Sequence, residues 1–390
     1  ANAHSHAFHR ALRGRAHVDG TFWSWRDLMY TVADRLDPDN YHRLARAVYA
    51  EMVLAGMTCV GEFHYVHHSP TGRRYSDPNA MGAALVAAAT DAGIRLTLLD
   101  TCYLRGGFGR PLEGVQRRFG DGDVLSWMDR ADTVTVDTDS VRRGAALHSV
   151  RAVPGDAIRP VAAWAAESSL PLHMHLSEQR AENEACLSEH GRTPTEVLDS
   201  GGALGPATTA VHATHLAPGD IALLGGSGTG VCLCPTTEAD LADGIGPAAA
   251  LAVAGSPLSI GSDGHSVIDP FAEAGAVESH MRLATGTRGS FGTADLVALA
   301  TGGHRALGWQ DAGSIAAGTR GDLVTVSLES PVLAGVPPEE VFAVARRADV
   351  REVIVDGRPV VSGGVHQYLP DVAVELRAAV DGLWNLPARA

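Results

Sequence analysis

The 390-residue sequence has no lysine; all 31 of its basic residues are arginine. Schiff-base chemistry, a phosphate-loop lysine and the carboxylated lysine that bridges two metals in many hydrolases are therefore excluded, because each needs a primary amine. Cysteine is scarce as well. The five residues, at 59, 102, 186, 232 and 234, are an odd number scattered along a long chain and make no disulfide framework. That usage points to a reducing cytoplasm. No run of about 18 apolar residues and no charged-then-apolar leader is present, so neither membrane insertion nor export is expected. Basic residues are outnumbered by 45 acidic ones, and the net charge of −14 argues against nucleic acid or an anionic membrane as a partner, since phosphate binding needs clustered positive charge. A few local arginines can still hold an anionic small molecule.

With 45% apolar residues the chain can bury a full-sized core, expected as one large domain with a smaller appendage. Short β-branched runs alternate with amphipathic stretches as far as residue 310, a pattern of parallel α/β architecture. The strand candidates lie near residues 2–3, 58–62, 96–100, 146–148, 172–175, 210–212, 230–233 and 258–261, with helices expected over 41–55, 80–92, 157–167 and 181–198. Eight such units predict a distorted (β/α)8 TIM barrel over residues 1–310, with its active site where the strands end. His4, His6, His64, Tyr65, His148, Arg151, His175, Glu178, His212 and Asp263 all fall at or just past those ends. Beyond 310 the texture changes to strands around an Asp356-Gly357 hairpin signal. These predict a small β-domain over 311–363 and a C-terminal segment, 364–390, with a helix near 373–383.

His4-Ser5-His6 has the first chemical signature, because residues i and i+2 of a strand face one side and both imidazoles can reach one ion. Alone, such a pair is also compatible with a solvated loop. His173 and His175 share a face, so either can be a third ligand; the three-residue step from His175 to Glu178 favours His175, leaving Glu178 beside a metal-bound water. Asp263 adds a carboxylate at the last strand end. Four such groups at strand ends of one barrel predict a single metal, with three histidines and one aspartate suiting zinc and also admitting iron or manganese. His212 is placed to orient the hydroxide that such an ion makes available or to polarise the group under attack, against the alternative of a core histidine. Cys232-Leu233-Cys234 has metal-like spacing but sits in an apolar run without a second pair, so buried structural cysteines are expected. His64, His67 and His68 are read as a polar loop whose functional member is Tyr65.

The order His-x-His, His-x-x-Glu, His, Asp resembles the mononuclear deaminase branch of the amidohydrolase superfamily. Within it, five stretches are similar to the formimidoylglutamate deiminases: 2–8 (Asn-Ala-His-Ser-His-Ala-Phe), 22–30 (Phe-Trp-Ser-Trp-Arg-Asp-Leu-Met-Tyr), 61–68 (Gly-Glu-Phe-His-Tyr-Val-His-His), 148–153 (His-Ser-Val-Arg-Ala-Val) and 234–238 (Cys-Pro-Thr-Thr-Glu). The resemblance implies one zinc held by His4, His6, His175 and Asp263, with Glu178 shuttling protons and His212 and Asp263 positioning hydroxide. It implies that Arg26, Tyr65, His148 and Arg151 hold a dicarboxylate amidine, N-formimidoyl-L-glutamate, which is hydrolysed to N-formyl-L-glutamate and ammonia in histidine degradation. Many members carry glutamine where this chain has His9, whose imidazole can still give one hydrogen bond. The family implies a homodimer, and strands upstream of residue 1 that complete the β-domain, here expected as an N-terminally incomplete β-sandwich. Two rival expectations are a deaminase for another amidine or a purine or pyrimidine, and a catalytically inactive barrel kept for binding. Retention of both Glu178 and Asp263 speaks against the second.

Overall fold

The computed structural model describes residues 1–15, 22–134 and 138–386, without the side chains of Phe22 and Trp23. Eight strands, β1 Asn2–Ser5, β2 Cys59–His64, β3 Arg95–Cys102, β4 Val141–Leu147, β5 Leu172–Leu176, β6 Thr208–His212, β7 Gly230–Leu233 and β8 Leu258–Ile260, pair in parallel in sequence order. A parallel bridge between Ser5 and Asp263 closes β1 onto the end of β8. This is the predicted (β/α)8 barrel. Its strands are buried on both faces, all eight residues of β3 for example, as parallel strands wrapped by helices must be.

Two glycines let the barrel close around β1. A Cβ on Gly61 would lie 2.8 Å from the Ala3 carbonyl oxygen, and one on Gly261 would lie 2.9 Å from both the backbone nitrogen and the carbonyl oxygen of His4. β2 and the segment after β8 can therefore flank β1 only because neither position has a side chain.

The helices follow local signals. Pro38–Leu54 begins at Asp37, whose side chain accepts from the Asn40 amide at 2.9 Å, in a capping box. The single helix expected over 181–198 is instead two, Arg180–His190 and Pro194–Ser200. Gly191, at φ 64°, ends the first in the left-handed conformation, and Thr193 followed by Pro194 starts the second. Amphipathic periodicity alone runs through that break, because the buried Glu182, Cys186 and Val197 are spaced as on one continuous helix face.

The small domain is one antiparallel sheet in the order β12-β11-β10-β9, from β9 Leu323–Val326, β10 Val350–Val355, β11 Arg358–Ser362 and β12 Val365–His366. Among the described residues it is a single sheet, as an N-terminally incomplete β-sandwich would leave, and β12 lies beyond residue 363, the expected limit of the strands. Asp356 and Gly357, at φ 53° and 75°, form the β10–β11 turn. Val350, Val353, Val355, Val360 and Val361 bury one face. The helix Val372–Trp384 packs on Pro38–Leu54, and the Trp384 indole donates to the Ala11 carbonyl at 2.9 Å, tying the C-terminal helix to the segment after β1. Among the described residues no helix is long and apolar enough to cross a membrane.

Candidate active site

β1 delivers His4, the residue just past its end is His6, β5 delivers His175, and the turn after β8 delivers Asp263. The Nε2 atoms of the three histidines stand 3.1 to 3.3 Å apart, and the Asp263 Oδ1 is 3.2 Å from that of His4 and 3.4 Å from that of His6. Donors placed ~2.0–2.1 Å from a tetrahedral metal ion are separated by roughly 3.3 Å, so the spacing fits one small divalent cation. Orientation agrees as well. His6 Nδ1 is 3.0 Å from the Phe63 carbonyl oxygen, and His175 Nδ1 is 2.9 Å from that of His148. A proton on each Nδ1 leaves the Nε2 lone pair facing the centre, the usual arrangement around a metal.

Glu62 holds β1 in place for this. Its carboxylate accepts from the Ser5 hydroxyl and from the Ala7 amide, each at 2.7 Å, so the segment carrying both histidines is fixed from the neighbouring strand. Burial pushes the Glu62 carboxyl up to about 7, while those donors pull the other way. His173, one pleat below His175, bonds the Ala306 carbonyl at 2.9 Å on the barrel floor. The choice between the two histidines is therefore a matter of depth along the barrel axis.

His212 ends β6 with its Nε2 3.7 Å from Glu178 Oε1 and 4.0 Å from Asp263 Oδ2. Its Nδ1 faces Glu238 Oε1 at 3.4 Å. Burial disfavours a charged imidazole here, yet the carboxylates of Glu178, Glu238 and Asp263 outweigh it and hold His212 well above its ordinary value. Burial lifts the Glu178 carboxyl above the usual range. Ser177, His212 and Asp263 have φ values of 51°, 69° and 38°, a conformation that side chains other than glycine rarely adopt. All three are at strand ends around the same centre, the setting in which such strain is retained for function.

Beside this centre a cavity is lined by His9, Arg26, Tyr65, His148 and Arg151 together with Glu178, His212 and Asp263. His9 Nε2 and the Tyr65 hydroxyl are 3.1 Å apart, and His148 Nδ1 lies 3.1 Å from the Ser149 hydroxyl. The Arg26 guanidinium lies over the Tyr30 ring, 5.5 Å from its centroid. Burial lowers Arg151, but Glu182 and Glu178 more than compensate and keep it charged. The residues to which the family resemblance gives roles thus fall on one cavity or on the donor cluster beside it.

Several neighbours are given no role in the sequence reading. Trp25, Tyr30, Tyr103 and Phe119 add aromatic walls. Glu182, pushed up to about 7 by burial, and Asp243, pushed up to about 9 by burial and then by Glu178, extend the acidic side. Glu238 is legible only as a letter in the Cys-Pro-Thr-Thr-Glu motif; its contact with His212 crosses from β7 to β6. Cys232 and Cys234 are buried and form no disulfide, and Cys234 lies beside His212 and Glu238 while its thiol also meets that of Cys232. The histidines after β2 face other partners: His67 Nε2 is 2.9 Å from the Thr101 carbonyl oxygen and His68 Nε2 is 3.2 Å from Asp121.

Known proteins resemble this chain throughout. It is 39% identical over 385 residues to the formimidoylglutamate deiminase of Pseudomonas aeruginosa, covering 94% of this chain and 84% of that one. The 8-oxoguanine deaminase of the same organism is 28% identical over 84% of this chain and 73% of its own length. A crystal structure of an amidohydrolase from Brucella melitensis superposes with a TM-score of 0.90 at 31% identity, covering 98% of this chain and 88% of that one. Residues 1–360 match the amidohydrolase family. The chain belongs to the amidohydrolase family and is a hydrolase acting on carbon–nitrogen bonds.

Proposed function

We propose that this chain hydrolyses N-formimidoyl-L-glutamate to N-formyl-L-glutamate and ammonia, a step of histidine degradation. The observation that carries the reading is one cavity shared by the metal-holding cluster, Glu178 and two arginines, Arg26 and Arg151. A substrate with two carboxylates calls for planar bidentate cations near the reacting end. The likeness to the Pseudomonas aeruginosa deiminase supports the same substrate.

His4, His6, His175 and Asp263 would hold one zinc ion, a donor set that iron or manganese also accepts. When bound, such an ion acts as a Lewis acid and lets water ionise near neutral pH. Glu178 takes the proton of the attacking water on its carboxylate and delivers it to the departing nitrogen; its buried, raised carboxyl suits a group that gains and then gives up a proton. The oxygen of water ends on the formyl carbon, and both hydrogens leave with the nitrogen as ammonia. His212 Nε2 and Asp263 Oδ2 face each other across 4.0 Å and orient the incoming water between them. Arg26 and Arg151 clamp the glutamate carboxylates, while His148, Tyr65 and His9 complete the polar wall. The five buried, unpaired thiols suit a cytoplasmic protein.

A second reading, deamination of a purine, draws on the aromatic walls of Trp25, Tyr30, Tyr103 and Phe119. Ammonia release from N-formimidoyl-L-glutamate and from 8-oxoguanine by zinc-loaded protein, with Glu178→Gln as control, separates the two. Release from the first substrate alone, abolished by the substitution, is the expected result; release from the purine alone overturns the proposal.

A further inference from the structure

The Cys-Pro-Thr-Thr-Glu segment is conspicuous in the sequence yet has no part in the chemistry above. It forms the start of the short helix Pro235–Asp240 directly after β7, and each of its last three residues contacts a different neighbour. Thr236 is anchored from below: its amide donates to Glu273 Oε2 at 3.1 Å and its hydroxyl to Glu273 Oε1. Thr237 grips the Asp263 turn, its hydroxyl oxygen accepting from the Gly264 amide at 3.1 Å and lying 3.3 Å from the Ser262 carbonyl oxygen. Glu238 turns back to β6, with Oε1 accepting from the Cys234 amide at 2.9 Å and facing His212 Nδ1 at 3.4 Å. Both Glu238 and His212 are almost fully buried, 3% and 1% exposed.

We infer that Glu238 is a positioning residue for His212: it fixes the proton on Nδ1 and so keeps Nε2 aimed at the gap between Glu178 and Asp263. The imidazole needs such a partner. His212 sits at φ 69°, a conformation its own backbone does not favour, and a ring free to rotate would present either nitrogen to the cavity. The 3.4 Å separation is long for a hydrogen bond, and contacts of this kind commonly tighten when substrate is bound. Because the same short helix also holds the Asp263 turn through Thr237, one clamp sets His212 from β6 and Asp263 from β8 relative to each other. The inference rests on the role proposed for His212, but its spectroscopic test does not require that the substrate be right.

The experiment compares wild type, Glu238→Gln and Glu238→Ala in three readouts: metal per chain, kcat and KM for ammonia release, and 15N NMR of histidine-labelled protein with His212→Asn assigning the signal. Wild type should show His212 protonated at Nδ1. Glu238→Ala should lose the Nδ1 proton and drop kcat on the order of 10- to 100-fold, with KM changed less than about 3-fold and one metal per chain retained. Glu238→Gln keeps an acceptor at Oε1 and should recover most of both. If Glu238→Ala does not fold, the glutamine variant and the wild-type tautomer still decide. His212 protonated only at Nε2 in wild type overturns the inference. So does unchanged kcat in a folded Glu238→Ala. Two metals per chain falling to one in the variants would also overturn it, because His212, Cys234 and Glu238 would then be ligands of a second ion. If wild type releases no ammonia from N-formimidoyl-L-glutamate while the tautomer behaves as stated, only the substrate reading fails.

Discussion

Gly261→Ala tests how tightly the proposed metal site depends on barrel closure. The added Cβ would meet the backbone nitrogen and oxygen of His4 at 2.9 Å and its Cβ at 2.8 Å, about 0.6 Å inside ordinary van der Waals contact. All three opposing atoms belong to the backbone or its first side-chain carbon, so no rotamer change relieves them. The residues after β8 must move away from β1, and Asp263 is two residues further along. Metal sites tolerate ligand displacements of roughly 0.2 Å, and the required shift is about three times that. We therefore expect zinc affinity to fall at least 10-fold, measured by competition with a chromophoric chelator. Overpacking should also cost about 1–3 kcal/mol in stability. Gly226→Ala, in the helix Pro218–Ser227 with nothing within 4 Å of the new Cβ, is the control and should leave zinc affinity unchanged. Zinc affinity of Gly261→Ala within 2-fold of wild type, in a normally folded protein, would refute the claim that this close approach sets the ligand geometry.

Other expectations follow from the same geometry. Glu178→Gln should lower kcat by roughly 10²–10⁴-fold while zinc content stays at the wild-type level, because the proposed function gives this carboxylate the proton transfer and it is not one of the four clustered donors. Arg151→Met should raise KM for a dicarboxylate amidine more than it lowers kcat; an unchanged KM would remove Arg151 from substrate binding. Asp121 is buried, and although burial opposes its ionisation, His68, His67 and Arg130 hold its carboxyl down to about 2. Its folded value is below the unfolded one, so its contribution of about 2 kcal/mol is present above pH ~4 and lost as pH falls through about 2. Asp121→Asn should destabilise the protein at pH 7 but not further on acidification over that window, as read by urea unfolding. Gly226→Ala should itself add about 0.4–1 kcal/mol of stability, since the helix already adopts a conformation alanine accepts.

Much of the site is legible in the sequence because the relevant physics is local. A two-residue period puts His4 and His6 on one face of a strand, and a three-residue step past a strand end brings Glu178 beside His175. Gly191 and Pro194 also mark a helix break that amphipathic periodicity conceals. The small sheet is legible through its Asp356-Gly357 turn, while its extension to β12 is not, since a two-residue strand has no periodicity of its own. Glu62, Glu238 and Tyr103 escape notice for a different reason: each acts on a residue from another strand or loop, and nothing in its own neighbours in sequence records that contact.

The sequence alone determined the alternation of strands and helices, the side of each strand that faces inward, and the types of donor available, because backbone period and side-chain chemistry are properties of short segments. Only the tertiary structure decided that His175 rather than His173 joins His4, His6 and Asp263 in one donor cluster, because both face inward and depth along the barrel separates them. It also decided that Glu238 addresses His212 and that Gly261 lets Asp263 approach His4. Those are distances between segments far apart in the chain, and they take their values only when the barrel closes.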